Sequence, residues 1–395
     1  MNVRELNLQT PYFVIHTDKI DSQIDSLKSA LSKRWDRWRI GYSVKTNNLP
    51  WIVSYMKSRG INAEVVSSDE YDLARELSYD TDQIIFNGLA KRKAEFIEAV
   101  NGGAVVNIDS KRELLWLLEC DTDRLKGQGI GLRVNFCIED YCPGESQCGA
   151  EDGRFGFSYE CGELKEAIDF LNGHGIRLSG IHLHCSSKTR SLNIYGAISA
   201  VAVKIVDEYG LTLDYIDVGG GFFGGMPGKP SFDDYCELIK ENLSKSPRTA
   251  NVEIIVEPGM ALVGANIDYI ASVIDVKKTK NNIFVTTDGS RTHIDPLMKK
   301  TGYSYYFERA VSEKNCDAEP WPQTICGFTC MEGDRFFTVT DKPLCEGDRI
   351  HFEKVGAYTM GISPQFIEFY PAVYAYTPDG LCEVRKKRKA KDFVG

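Results

Sequence analysis

Eight short apolar runs recur between residues 36 and 260, and each ends on a polar residue or a glycine. They are residues 39–45, 63–67, 84–88, 104–109, 130–135, 178–184, 215–221 and 253–259. Each is short and rich in β-branched or apolar residues, as a strand covered on both faces must be. Amphipathic helical patterns lie between them. In residues 93–100, Phe96, Ile97 and Val100 share one face, and in residues 111–119 the predicted stripe is Leu114, Leu115, Leu117 and Leu118. Residues 193–210 end in Gly210, as a helix terminus often does. Eight such alternations predict an α/β fold, a closed (β/α)₈ barrel, although a doubly wound open sheet gives the same local signals. The polar residues separate the two. Lys45, Ser67, Asn87, Asp109, Asn135, His184, Gly219 to Gly221 and Glu257 all fall at C-terminal strand ends, where barrel enzymes assemble their sites.

The pattern changes after about residue 265. Residues 268–279, 282–289, 335–342 and 349–359 read as antiparallel strands. Asp341-Lys342-Pro343 and Glu346-Gly347-Asp348 read as turns between them. Residues 11–17 are also strand-like and are expected to pair with the C-terminal strands. The expected organisation is a barrel over residues 36–261 and a β-rich, sandwich-like domain from residues 1–35 and 262–395. A chain of 395 residues is long enough for both.

A net charge of −9 disfavours general nucleic-acid binding. The basic run Arg385 to Lys389 reads as a solvated terminal segment. No apolar stretch is long enough to span a bilayer, and the first residues lack the apolar core of a signal peptide, so a cytoplasmic location is expected. Twelve scattered cysteines then read mainly as reduced thiols. Cys137, Cys142 and Cys148 are close in sequence, but no paired CxxC or nearby histidine accompanies them, and no metal site is expected.

The chemistry concentrates in a few residues. Lys45 in YSVKTN closes the first strand; it is either a surface charge or an amine in the barrel mouth. Desolvation there favours the neutral amine, the nucleophilic form that a Schiff base needs. Gly219-Gly220-Gly221 lets backbone N–H groups approach an anion, with phosphate the usual occupant after a late barrel strand, although a glycine triplet also suits a bare turn. His182 and His184 alternate on one strand, and Ser186 and Ser187 come next with hydroxyls able to donate to phosphate. Glu257 can accept from a protonated ring nitrogen or cap a helix. Cys330 sits in a turn as a proton donor or a buried thiol, and Tyr358 offers one phenol.

Taken in order, these pieces resemble the fold-type III pyridoxal phosphate decarboxylases, the group of diaminopimelate, ornithine and arginine decarboxylases. The resemblance runs through YSVKTN, Ser67 to Glu70, Ile108-Asp109-Ser110, Arg154-Phe155-Gly156, His182 to Ser187, Asp217 to Gly221, Glu257-Pro258-Gly259, Gly327 to Asp334 and Gly356-Ala357-Tyr358. It implies an alanine racemase-like barrel and a pyridoxal 5'-phosphate cofactor held by Lys45 as a Schiff base. It also implies that His184 stacks on the pyridine ring, that Ser187, Gly220, Gly221 and Tyr358 bind phosphate, and that Glu257 pairs with the ring nitrogen. In the family, a cysteine matching Cys330 comes from the partner subunit of a homodimer and protonates the intermediate after carbon dioxide leaves. Racemases on this scaffold place an arginine where Glu257 stands and a tyrosine opposite the lysine, so a racemase or epimerase is the second reading. A non-catalytic cofactor-binding protein is the third; such proteins lack a β-domain and the distal cysteine.

Departures from the resemblance fall at substrate positions. Met260 replaces an arginine that, in the diaminopimelate enzymes, helps bind the distal carboxylate. Asp295 stands where a second such arginine precedes a proline, and Met331 replaces the acidic residue that binds the distal amine. A methionine does not reproduce an arginine clamp. Diaminopimelate is therefore disfavoured as substrate, and Asp295, Met331 and Glu332 are the candidate substrate contacts. Ser186 replaces a family glycine and leaves cofactor binding intact.

Overall fold

The computed structural model describes residues 8–127, 129–149, 151, 153–185, 187–310, 322–340 and 343–394. Its contacts divide the chain into two units, one formed by the N-terminal segment through Ser22 with Leu262–Gly395, the other by Gln23–Ala261. The N-terminal division falls inside helix Thr17–Ser32, earlier than residue 35. Residues beyond Ser22 are tied to the barrel, which moves the division forward. Lys28 Nζ donates to the Arg59 carbonyl at 2.7 Å, and Arg34 pairs with Asp233 at 2.7 Å.

Among the described residues of Gln23–Ala261, eight parallel strands form the barrel: Trp38–Ser43, Asn62–Ser67, Ile84–Ala90, Val105–Ile108, Ile130–Asn135, Gly180–His182, Tyr215–Asp217 and Glu253–Val256, with the two-residue strand Phe157–Ser158 beside the fifth. Each pairs with the next, and Ile254 of the last lies opposite Trp38 of the first, so the barrel closes. Closure leaves no strand edge, and every strand is covered on both faces. The interior is filled partly by Tyr215. A Cβ on Gly180 would fall 2.3 Å from its ring, and one on Gly131 would fall 2.2 Å from its hydroxyl. Two glycines in apolar strands are thus the space that one tyrosine needs.

The helices cover the outside. In helix Lys93–Gly102, Phe96 and Val100 of the predicted face are buried, while Ile97 is half-buried and Ala99 is the third buried residue. In helix Lys111–Leu117 only Leu114 and Leu117 of the four predicted leucines are buried, while Leu115 and Leu118 are exposed. Glu113 takes the inward place instead. Its carboxylate pairs with Lys91 at 2.9 Å, and both side chains are fully buried. A charged residue on the core face is invisible to a hydrophobic period.

The other unit is a nine-stranded mixed sheet. Strand Tyr12–His16 lies between Ile267–Lys278 and Ala372–Thr377, so both chain ends share one sheet. Strand Ile267–Lys278 pairs with Arg349–Glu353 along its first half and with Ile283–Thr287 along its second, across a register shift between Val273 and Asp275. The pairings among the expected strands are antiparallel, and two further pairings are parallel, Tyr12–His16 with Ala372–Thr377 and Ile283–Thr287 with Gln323–Cys326, each to a strand outside those expected. Parallel neighbours need long connections that turn residues do not announce. The turn at Gly347 forms with φ +91°; residues 341 and 342 of the other predicted turn lie outside the described residues. No helix among the described residues is long and apolar enough to cross a membrane.

Candidate active site

The first barrel strand ends at Ser43, and the chain then makes a short 3₁₀ turn, Val44–Thr46. Val44 and Thr46 are buried, which leaves Lys45 reaching out with its side chain 38 % exposed. Lys45 Nζ donates to Glu64 Oε2 at 2.8 Å. Glu64 is buried on the second strand, and the same oxygen accepts from Ser43 Oγ at 2.6 Å. Its other oxygen accepts from Asn87 Nδ2 on the third strand at 3.0 Å. Asn87 Nδ2 also donates to Glu257 Oε1, so one amide bridges two buried carboxylates. Asn107 donates to Asn87 Oδ1 at 2.8 Å and accepts from the Tyr215 hydroxyl at 2.9 Å. A polar network thus crosses the barrel from Lys45 to the seventh strand.

Glu257 and Asp217 end the last two strands, and both are buried. They have opposite tendencies. Burial, then the charge of Glu257, pushes Asp217 well above the usual carboxylate range. Burial opposes ionisation of Glu257 as well, but His182, Lys45 and the hydrogen bond with Asp217 outweigh it and hold Glu257 below that range. The pair therefore keeps one proton, on Asp217, and leaves a negative Glu257. His182 Nε2 lies 3.5 Å from Glu257 Oε2. The ligand atoms of His182, Asp217 and Glu257 lie within 4.8 Å of one another, a spacing a cation would also suit.

His184 follows the sixth strand and is half-buried. Burial, Arg133 and Lys45 pull its pKa down to about 3, so its ring is neutral. Its Nδ1 is buried without a hydrogen-bond partner. A Cβ on Gly219 would fall 2.5 Å from the His184 Cβ, and one on Gly220 would fall 2.2 Å from the Glu257 carbonyl oxygen. The glycine triplet is therefore pressed between His184 and the end of the eighth strand. Gly221 has φ +103°. The Tyr195 hydroxyl donates to the Gly220 carbonyl at 2.7 Å, which turns that carbonyl aside. Ser187 is half-buried in the loop after His184; Ser186 lies outside the described residues.

The barrel thus brings together Lys45, His184, Gly220, Gly221 and Glu257. The remaining candidates belong to the sheet unit. Tyr358 is 38 % exposed with φ +55°. Cys330, Met331 and Glu332 form an exposed loop tip, so Cys330 is not a buried thiol. Glu332 pairs with Arg335 at 2.5 Å. Asp295 is buried and its oxygens accept from Arg291 Nε at 2.8 Å and from the N–H groups of Lys299 at 3.0 Å and Lys300 at 2.9 Å. Burial opposes its ionisation, yet those donors hold it below the usual range. All of these donors belong to its own unit.

Two site residues escaped sequence reasoning. Glu64 is one; its signal was an acid in a strand otherwise apolar. Asp334 is the other. Its carboxylate accepts from Ser290 Oγ at 3.0 Å, Arg291 N at 2.7 Å and Thr329 Oγ1 at 2.7 Å, and so anchors the Cys330 loop to the Ser290 turn.

The barrel residues suit a phosphorylated pyridine aldehyde. They supply an amine at the mouth, a glycine cradle that a Cβ would fill, an unpartnered imidazole nitrogen and an ionised carboxylate. The class they define is a barrel enzyme that holds a ring cofactor between strand ends. Residues 17–264 match the pyridoxal binding domain of the pyridoxal-dependent decarboxylases, and residues 265–356 match their C-terminal sheet domain. The chain belongs to this family. It is a pyridoxal phosphate-dependent carboxy-lyase acting on an amino acid.

Among its relatives, the diaminopimelate decarboxylase of Archaeoglobus fulgidus is 28 % identical over 368 residues, covering 90 % of this chain and 85 % of the relative. The probable chloroplastic diaminopimelate decarboxylase of Oryza sativa is 25 % identical over 400 residues, covering 98 % and 79 %. Diaminopimelate decarboxylase from M. jannaschii, solved with L-lysine, superposes with a TM-score of 0.84 at 20 % identity, covering 98 % of this chain and 91 % of that one. The arginine decarboxylase of Paramecium bursaria Chlorella virus superposes with a TM-score of 0.75 at 20 % identity, covering 94 % and 98 %. At such identities the solved structures establish the fold alone.

Proposed function

We propose that this protein decarboxylates an α-amino acid other than diaminopimelate, with Lys45 as the cofactor lysine and Cys330 as the proton donor. The observation that carries the reading is a buried Glu257 joined through Asn87 and Glu64 to Lys45 in one polar network. Bound pyridoxal phosphate supplies an electron sink for the charge left at Cα when carbon dioxide departs. Glu257 would accept from the ring N–H of the bound cofactor and hold that proton in place, which would keep the sink strong. Glu64 holds Lys45 Nζ at a fixed point of the mouth. His184, being neutral, offers a flat ring face without a competing positive charge. The N–H groups of the glycine loop, Ser187 and Tyr358 serve the phosphate.

Cys330 Sγ, exposed on a loop braced by Asp334, gives its proton to Cα. We assign it to the site of a second copy, so that a homodimer shares two sites. Against diaminopimelate stand Met260 and Met331, which offer no charge to the distal carboxylate and amine. Asp295 is buried and engaged by Arg291 and the Lys299 and Lys300 N–H groups, so this reading does not rely on it. Met331 and Glu332 remain the substrate contacts of this reading.

The test is a carbon dioxide release screen over basic, acidic and apolar amino acids and carboxyalkyl polyamines. Turnover of one of them, at least tenfold faster than diaminopimelate, is expected. Preferred turnover of diaminopimelate overturns the substrate assignment. Exchange of the Cα proton for deuterium without carbon dioxide release replaces decarboxylation with racemisation. Lys45→Ala is expected to lose the visible absorption of the purified protein.

A further inference from the structure

Met260 directly follows Glu257-Pro258-Gly259 and opens the short helix Met260–Val263. A thioether there carries no charge. A guanidinium nevertheless occupies its surroundings, brought from another loop. Arg190 Nη1 lies 3.1 Å from Met260 Sδ. The same guanidinium lies 4.2 Å from the ring centroid of Phe223, and Lys229 Nζ lies 5.2 Å from that centroid. Two cations thus share one buried ring. Each gains from the ring face, and together they concentrate positive charge beside Met260.

The place of this pair in the barrel is fixed by close packing. Phe223 follows the glycine triplet, and a Cβ on Gly224 would fall 2.4 Å from the Ala261 carbonyl oxygen, so this loop is pressed onto the Met260 helix. A Cβ on Gly259 would fall 2.0 Å from Thr46 Oγ1. Met260 is therefore one residue from direct contact with the neighbour of Lys45. The backbone of Arg190 is held for its task. It has φ +55°, a conformation costing a side-chain-bearing residue about 1 kcal/mol or more. Its carbonyl accepts from the Tyr235 hydroxyl at 2.5 Å. Glu145 accepts from the hydroxyls of Thr189 and Ser191 on either side.

We propose that Arg190, with Lys229 beside it, forms an oxyanion subsite at the rim of the barrel mouth. It takes either the carboxylate at the far end of an amino-acid substrate or the phosphate of the cofactor. A planar guanidinium suits both, because each presents two oxygens to its paired N–H groups. The inference rests on the decarboxylase reading and revises one of its grounds: if the subsite takes the distal carboxylate, Arg190 supplies the charge that Met260 lacks, and the case against diaminopimelate then rests on Met331 alone.

The test uses the full-length protein and three variants: Arg190→Met, Lys229→Met, and the exchange Arg190→Met with Met260→Arg. In one arm, apoprotein is titrated with pyridoxal phosphate and with pyridoxal, read by visible absorbance. In the other, holoprotein is titrated with L-2-aminoadipate and with L-norleucine, read by the change in that absorbance. If the subsite takes phosphate, Arg190→Met weakens pyridoxal phosphate by about 10- to 100-fold and leaves pyridoxal unchanged. If it takes the distal carboxylate, Arg190→Met weakens aminoadipate by a similar factor and leaves norleucine unchanged. In both cases the exchange variant recovers most of the loss, which a merely structural arginine would not allow.

Affinities within about twofold of the parent in both arms overturn the proposal, as does a loss that is equal for charged and uncharged probes. Should Arg190→Met fail to fold, Lys229→Met and Arg190→Lys supply the same comparisons with smaller expected losses, and unchanged affinities again overturn it. The titrations read binding whether or not carbon dioxide is released. Failure here leaves the decarboxylase reading standing, whereas failure of that reading would show in the release screen.

Discussion

Glu70 offers the cleanest test of the electrostatics around Lys45. It stands in the first turn of helix Ser68–Glu76, where Ser67 caps the helix by accepting from the Glu70 N–H. Its own carboxylate accepts from the Val66 N–H at 2.8 Å. Burial pushes the Glu70 carboxyl up to about 7; the Val66 N–H opposes this, Glu64 adds to it and Lys45 opposes it. A carboxyl raised in the folded state stabilises fully below its unfolded value and loses that contribution as pH rises towards the folded one. The window runs from 4.5 to about 7. At 1.36 kcal/mol per unit, the folded protein loses about 2 kcal/mol between about pH 5.5 and pH 8.5 through this one group. Glu70→Gln keeps an acceptor for Val66 and removes the titration. The assay is urea unfolding of parent and variant at both pH values, compared as a double difference. The variant is expected to gain about 2 kcal/mol relative to the parent on going to the higher pH. A double difference near zero, or one of opposite sign, would refute the claim that burial governs this carboxyl.

Two further outcomes rest on packing and hydrogen bonding. Gly220→Ala places a methyl group 2.2 Å from the Glu257 carbonyl oxygen, so the loop must move. Cofactor affinity, measured by absorbance titration of apoprotein, is expected to fall at least tenfold, with about 1–3 kcal/mol lost in stability. Asp334→Ala leaves Ser290, Thr329 and the Arg291 N–H without their shared acceptor. It is expected to cost about 3 kcal/mol by denaturant unfolding and, if Cys330 donates the proton, to lower kcat more than it raises KM.

The barrel is legible in the sequence because strand length and polar strand ends repeat, and both signals are local. Lys45, Glu257 and the glycine triplet are legible for the same reason: each interrupts a run at its end. The network behind them is not. Glu64 and Asn107 sit inside strands, and a sequence does not say whether an inward polar residue meets a partner. Their partners are Lys45, Asn87 and Tyr215, on three other strands or strand ends. Leu115 and Leu118 fail in the opposite direction. Apolar spacing alone turns them inward, while Glu113 holds the inward place through its ion pair with Lys91. Asp295 reads as a substrate contact in sequence because a charge stands where another charge is expected; only the fold shows that Arg291 and two backbone N–H groups already use it. Arg190 is silent, because nothing in sequence links it to Met260.

The charges of the barrel interior also constrain what can occupy it. Glu64, Asp217 and Glu257 are all buried, and a low-dielectric interior does not tolerate three negative charges. Asp217 is relieved by keeping its proton. Glu64 is balanced by Lys45 at 2.8 Å, and Glu257 is favoured by His182 and by the same Lys45. Lys45 therefore serves two carboxylates. When its amine becomes neutral, as nucleophilic attack on an aldehyde requires, both lose part of their counter-charge. A ligand that brings a cationic ring nitrogen to Glu257 restores the balance, and a neutral ring does not. A pyridine ring placed with its nitrogen at Glu257 would thus have its protonated state favoured by the charge left behind in the barrel as well as by a hydrogen bond to Glu257. This is the electronic condition that removal of a carboxyl group from Cα demands.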